Sequence, residues 1–210
     1  FGQSSDVLEK LIGLKVYSNR FEAVSRTSCV NYDQYYEAKP LPSPESEGDI
    51  SVVGFDGKGV PVIKSESAKI VARKGKGEKR QKKKEAMVGV SYSIDANPRT
   101  PKQVAENLVY PDKDKDRTVE VEKPRARNVR RLASLERSKE EVFHEIVDDG
   151  RKRNLDKSKP IVVVMDGALC LWTILATVMT DTAYVGILDI IHVTEYLWNV
   201  ANALYKEGSD

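Results

Sequence analysis

The sequence predicts an α/β fold, a mixed sheet flanked by helices, with a small helical element ahead of it. Three observations carry that expectation. First, Ile161-Val162-Val163-Val164-Met165 and Tyr184-Val185-Gly186-Ile187-Leu188 are apolar runs without polar alternation, the pattern of strands buried on both faces. Second, each of these runs is followed by a helical pattern, while the upstream strands, Ile50-Ser51-Val52-Val53-Gly54-Phe55 and residues 86–94, follow one another with no helix between. Third, three of the runs deliver a carboxylate to their own carboxyl end: Asp56, Asp166 and Asp189. The carboxyl ends of strands are where α/β proteins place their chemistry, and carboxylates gathered there suit hard divalent cations.

Composition bounds the rest. A chain of 210 residues suits one sizeable domain with a small appendage, and 40% apolar residues exclude wholesale disorder. Charged residues make up 31%, but 34 basic against 32 acidic leave only +2, so partners must be read from local clusters. Two cysteines, Cys29 and Cys170, are too few for a disulfide framework or a zinc module. Cys170 lies in an apolar segment and is expected to be a small core residue, which fits a reducing, cytoplasmic compartment. The longest apolar stretch, 167–179, is too short to span a bilayer, and no signal peptide opens the chain. A start at Phe1 and a stop straight after an amphipathic helix read as a piece cut from a longer polypeptide.

In chain order, Asp6 and Glu9 mark a helix start whose apolar face is Val7, Leu8, Leu11 and Ile12, and Gly13 stops it. A second helix begins near Ser18, with Phe21, Val24, Ser28, Tyr32 and Tyr35 along one side. This element, 1–38, reads as a helix-turn-helix or as an ordinary helical hairpin. Residues 39–48, with three prolines and a terminal glycine, read as a linker to the main domain, 49–210. After Asp56, Gly57-Lys58-Gly59-Val60-Pro61 reads as a turn, with Val62-Ile63 returning from it. Then come Arg73, Lys74, Lys76, Lys79, Arg80, Lys82, Lys83 and Lys84, opposed only by Glu78. Such a run is either a solvated loop or a contact for a phosphate backbone.

Residues 95–116 read as a polar excursion and 118–121 as a short edge strand. A long helix is expected over 125–149, with Leu132, Leu135, Val142 and Ile146 inward. Its first half is crowded by Arg125, Arg127, Arg130, Arg131 and Arg137, which oppose the helix dipole. Surface solvation and contact with DNA phosphates, at Arg130 and Arg131 above all, are the competing reasons for them. Helix 168–179 and a final helix flank the strand that reaches Asp189. That final helix carries His192, Tyr196, Asn199 and Ala203 on one line and Val193, Leu197, Val200 and Leu204 on another. Strands first in hairpin succession, then alternating with helices, make a ribonuclease H-like topology.

Two Mg²⁺ ions about 3.5–4 Å apart can run phosphodiester cleavage or transfer, one activating the attacking oxygen and one steadying the leaving oxygen. Asp56 and Asp166, each followed by glycine, fit the ligand role, with plain Asp-Gly turn chemistry as the alternative. Asp189 reads as a cap for the last helix. His192 reads as structural or as support behind the ligands, since a zinc site would have only His144 as a second histidine.

Five phrases in this order resemble bacterial insertion-sequence transposases of the ISKra group, relatives of the mutator-type DDE transposases. They are Phe55-Asp56-Gly57-Lys58-Gly59-Val60-Pro61, Gly77-Glu78-Lys79-Arg80-Gln81-Lys82-Lys83-Lys84-Glu85-Ala86, Arg130-Arg131-Leu132-Ala133-Ser134-Leu135, Met165-Asp166-Gly167-Ala168 and Leu188-Asp189-Ile190-Ile191-His192-Val193. The likeness covers essentially the whole chain, most clearly from Tyr35-Tyr36-Glu37 onward. It implies a DNA transposase that cuts and joins element ends with Mg²⁺ or Mn²⁺, as an oligomer on element ends and target DNA in the nucleoid. Asp56 matches the first catalytic aspartate and Asp166 the second, while Asp189 and His192 match an accessory Asp-x-x-His signature. The third acid, a glutamate, lies in that family beyond a helical insertion. Neither Glu195 nor Glu207 sits in its motif, so the resemblance implies a fragment lacking its last acid. The reading from another class is a nucleic-acid-binding remnant without enzymatic activity.

Overall fold

The computed structural model describes residues 2–63, 65, 83–109 and 124–205. The chain divides into two compact units, Phe1–Leu41 and Pro42–Asp210. The first holds three helices: α1 (Gly2–Ile12), α2 (Ser18–Ser28) and α3 (Tyr32–Ala38). Helix α1 starts before the expected Asp6 cap and ends at Gly13, whose φ of 68° only glycine adopts cheaply. Tyr32 and Tyr35 belong to α3 and not to α2, because Cys29 turns the chain out of α2. Val7, Leu11 and Ile12, expected to form a buried face, are exposed, as befits three short helices with little surface to share.

The second unit contains β1 (Ile50–Pro61), β2 (Lys83–Ile94), α4 (Pro101–Val109), β3 (Arg127–Ser134), α5 (Lys139–Lys152), β4 (Ile161–Met165), α6 (Leu169–Val178), β5 (Val185–Leu188) and α7 (Ile190–Leu204). The strands form one sheet in the order β3-β2-β1-β4-β5. β1, β2 and β3 run antiparallel, and β4 and β5 run parallel to β1. This is the ribonuclease H-like arrangement that the order of elements predicts. Its core lies on one face, where Val53, Phe55, Met87, Val163 and Met165 are buried along with Val142, Phe143, Ile146 and Val147 of α5. The rings of Phe55 and Phe143 stack with centroids 3.7 Å apart. A side chain at Gly89 would begin 2.7 Å from Ile146, so only glycine lets α5 lie this close to β2. No described helix is long and apolar enough to cross a membrane.

Four expectations are corrected. β1 does not turn at Asp56-Gly57; it runs on to Pro61 because β2 pairs with it throughout, from Ile50↔Ile94 to Pro61↔Lys83. A long antiparallel partner supplies the hydrogen bonds that override the Asp-Gly turn signal. The long helix over 125–149 is a strand followed by a helix. Residues 127–134 pair with β2, and α5 starts only at Ser138, whose side chain and that of Glu141 form a reciprocal capping box. Within 95–116 lies the helix α4, started by Thr100 and Gln103, which exchange backbone and side-chain hydrogen bonds. Finally, β5 is exposed along its length and Cys170 is exposed, because β5 is an edge strand and α6 buries a single stripe, Leu171, Leu175 and Val178. The short strand expected at 118–121 lies outside the described residues.

A polar network closes the far end of the sheet. Glu47 and Gly48 are buried in the second unit, where the sequence reads a linker. Arg153 donates to both Glu47 oxygens, at 2.7 and 2.8 Å, and to the Asn128 carbonyl at 3.0 Å. Ser93 also donates to Glu47, and Ser91 donates to Asp149. Arg130 bridges Asp149 and Glu145, and Arg137 reaches Glu145. Burial alone would raise the Glu47 carboxyl, but hydrogen bonds from Arg153 and Ser93 and the Arg153 charge hold it below its usual range.

Candidate metal centre

The site follows from register. The parallel pairing of β1 with β4 sets Phe55 beside Met165, and that of β4 with β5 sets Met165 beside Leu188. The next residue in each case is an aspartate, so Asp56, Asp166 and Asp189 stand in a row across three strands. Because side chains alternate along a strand, Asp56 points to the face opposite buried Phe55, away from α5.

Each acid is then held differently. One oxygen of Asp166 accepts the Ala168 N–H at 2.9 Å, and its main-chain carbonyl accepts the indole N–H of Trp172 at 2.7 Å. The Trp172 ring lies over Gly186 of β5, where an added Cβ would sit 2.9 Å from it. Asp189 caps α7 through the Ile191 N–H at 2.9 Å, and its own N–H donates to the Met165 carbonyl at 2.7 Å. The second Asp189 oxygen meets Nδ1 of His192 at 3.1 Å. This hydrogen bond is the main reason that the imidazole titrates above its usual value; desolvation works against it, and the Asp189, Glu195 and Asp166 charges add to it.

Asp56, Asp166 and His192 each present one ligand atom, and the three atoms lie within 4.8 Å of one another, half-buried. Opposite ligands around an ion with bonds of about 2.0–2.1 Å stand about 4.2 Å apart, so the group can hold a divalent cation with small adjustments. Among the described residues this is the only such group. With Nδ1 engaged by Asp189, Nε2 is the nitrogen left for an ion. The structure thus brings together Asp56 and Asp166, as expected. It also brings in His192, which the sequence places in support, and sets Asp189 behind it. The signal for the Asp189–His192 contact was the three-residue spacing, which puts a cap residue and a first-turn side chain on one helix face.

The basic residues divide. Arg73, Lys74, Lys76, Lys79, Arg80 and Lys82 lie outside the described residues. Lys83 and Lys84 are exposed at the start of β2, opposite Pro61 and Val60, roughly 13–17 Å along the strand beyond Asp56. Arg130, expected on a helix to face DNA, is on β3 and tied into the carboxylates of α5. Arg131 alternates to the face that carries Asp56 and is exposed. Glu195, exposed on α7, is not in the cluster, and Glu207 lies outside the described residues. Set against models of protein families, curated proteins and solved structures, the chain matches none of them.

Proposed function

We propose that this chain is part of a DDE-type DNA transposase, working on DNA phosphodiesters at element ends with Mg²⁺ or Mn²⁺. The observation that supports it is the meeting of Asp56 and Asp166, 110 positions apart, at adjoining places on a ribonuclease H-like sheet with His192 beside them. Divalent ions held there would polarise the scissile phosphate and activate the attacking oxygen. The chain's own residues do the rest. Asp56 and the Asp166 oxygen not engaged by Ala168 supply negative charge to hold cations. Asp189 keeps the His192 ring turned. Arg131 and Lys84 alternate to the face that carries Asp56, where neutralising a phosphate backbone would release its counterions to solvent. The helices of the first unit are the second DNA contact on this reading, and further copies of the chain assemble on the same DNA.

A second reading, a nucleic-acid-binding remnant without turnover, is favoured by one observation: among the described residues the cluster holds two carboxylates, where the DDE chemistry uses three. One experiment separates them. Supercoiled DNA is incubated with the purified protein and Mn²⁺ or Mg²⁺, and nicking is scored beside DNA binding across a salt series. Nicking that disappears in Asp56→Asn and Asp166→Asn supports the enzyme. Salt-sensitive binding without nicking supports the remnant. Nicking unchanged in both variants removes the site.

A further inference from the structure

We infer that His192 makes the shared cation position selective for first-row transition ions, with Mn²⁺ as the weakest-binding and so most demanding probe, over Mg²⁺. The inference rests on the cation-site reading above and deepens it.

His192 is not a packed core histidine, since its side chain is 38% exposed. As a neutral ligand it is well placed. Asp189 is locked by its backbone bond to Met165 and its cap of α7, so it fixes the ring rather than following it. A carboxylate on Nδ1 also raises the donor strength of Nε2. The chemistry of the donors does the selecting. Mg²⁺ prefers oxygen and gives up water reluctantly, whereas imidazole nitrogen suits transition ions. Two carboxylates plus one imidazole form a mixed set that a transition ion fills with three protein bonds. Mg²⁺ would use the two carboxylates and leave the nitrogen idle. Removing the imidazole should therefore cost Mn²⁺ affinity and leave Mg²⁺ affinity nearly untouched.

The test titrates Mn²⁺ and Mg²⁺ separately into the purified chain by calorimetry, and records pulsed electron paramagnetic resonance of the Mn²⁺ form for coupling to ¹⁴N. The wild-type chain should bind Mn²⁺ more tightly than Mg²⁺ by on the order of tenfold or more, with ¹⁴N modulation visible. His192→Asn should lose the modulation and most of the preference, and His192→Asp, which restores an all-oxygen set, should move the preference toward Mg²⁺. Asp189→Asn should weaken Mn²⁺ by about 10–100-fold, the usual cost of losing a carboxylate behind a metal-bound histidine. Circular dichroism confirms that each variant is folded. A Mn²⁺-to-Mg²⁺ ratio unchanged in folded His192→Asn, or no ¹⁴N coupling in the wild type, overturns the inference. If Asp56→Asn and Asp166→Asn also bind both ions as the wild type does, the cation site itself falls. If they lose both ions while the ratio stays fixed in His192→Asn, only the role of His192 falls.

Discussion

Asp56→Asn should make the metal-free protein more stable and abolish its response to metal. The two aspartates present oxygens no more than 4.8 Å apart. At that distance the repulsion is about 0.9 kcal/mol with the permittivity of water and about 3.5 kcal/mol with an effective value near 20. Both side chains are half-buried, so solvent screens them well and about 1 kcal/mol is the figure to use. For a chain of this length that corresponds to a melting temperature about 2–4 °C higher. Asp56 is the cleaner choice, because Asp166 also accepts the Ala168 N–H. The melt belongs at about pH 9 in chelator, where the histidine no longer offsets the repulsion. Its titration is raised by the Asp189 hydrogen bond, and Asp189 is intact in the variant. In excess Mn²⁺ the order should reverse. Ligand at a hundred times its dissociation constant stabilises by about 2.7 kcal/mol, so the wild type should gain about 5–10 °C and the variant little. A variant that melts below the wild type in chelator and still rises with Mn²⁺ would refute the reasoning, since neither the repulsion nor its relief by a cation would then exist.

Other expectations follow from the same geometry. Glu47→Ala strands the side chain of Arg153, only 6% exposed, with Asp149 alone as counterion, and should cost about 3 kcal/mol in a denaturant titration. Because Glu47 titrates below its usual value of 4.5 when folded, its contribution is present above that pH and is lost as pH falls through the folded value; acid melts of wild type and variant should converge there. Trp172→Phe removes the donor to the Asp166 carbonyl, and Gly186→Ala pushes on the ring above it; both should weaken Mn²⁺ binding by calorimetry while the protein stays folded. Arg131→Glu should lower DNA affinity and flatten its salt dependence by about one unit of slope in a filter-binding series.

The fold was legible where periodicity was strong and failed where a partner strand decided the outcome. Ile161–Met165 and Val185–Leu188 announce themselves as strands, and their aspartates lie where the pattern puts them. Residues 127–134 do not: Leu132 and Leu135 fit a helical spacing, and it is the pairing with β2 that makes 127–134 a strand. Two capping signals were present to be read, Thr100 with Gln103 and Ser138 with Glu141. The second of them alone limits a helix over 125–149. The far-end network was not legible, because Glu47, Ser91, Ser93, Asn128, Asp149 and Arg153 come from four separate stretches that only the tertiary fold assembles. Within the site, the carboxylates were visible as strand ends. The reach of His192 to them depends on how β5 hands over to α7, which no spacing along the chain specifies.

That handover places the site on a boundary between unequal halves of the sheet. Asp56 lies on β1, paired on both sides below it and backed by the stacked Phe55 and Phe143. His192 lies on α7, which buries none of its residues, after a strand exposed throughout. Local stability tracks burial, so the histidine side should open at far lower cost than the aspartate side. An ion gripped by all three residues therefore does more than fill a gap between charges. It ties the sparsely packed β5–α7 corner to the rigid centre, adding to the β4–β5 pairing, the Trp172 ring on Gly186 and the Asp189 bond to Met165. The free energy of binding is then partly spent ordering α7, which makes affinity sensitive to residues that never touch the ion. This is why Trp172 and Gly186 belong in the same set of measurements as Asp56 and Asp166.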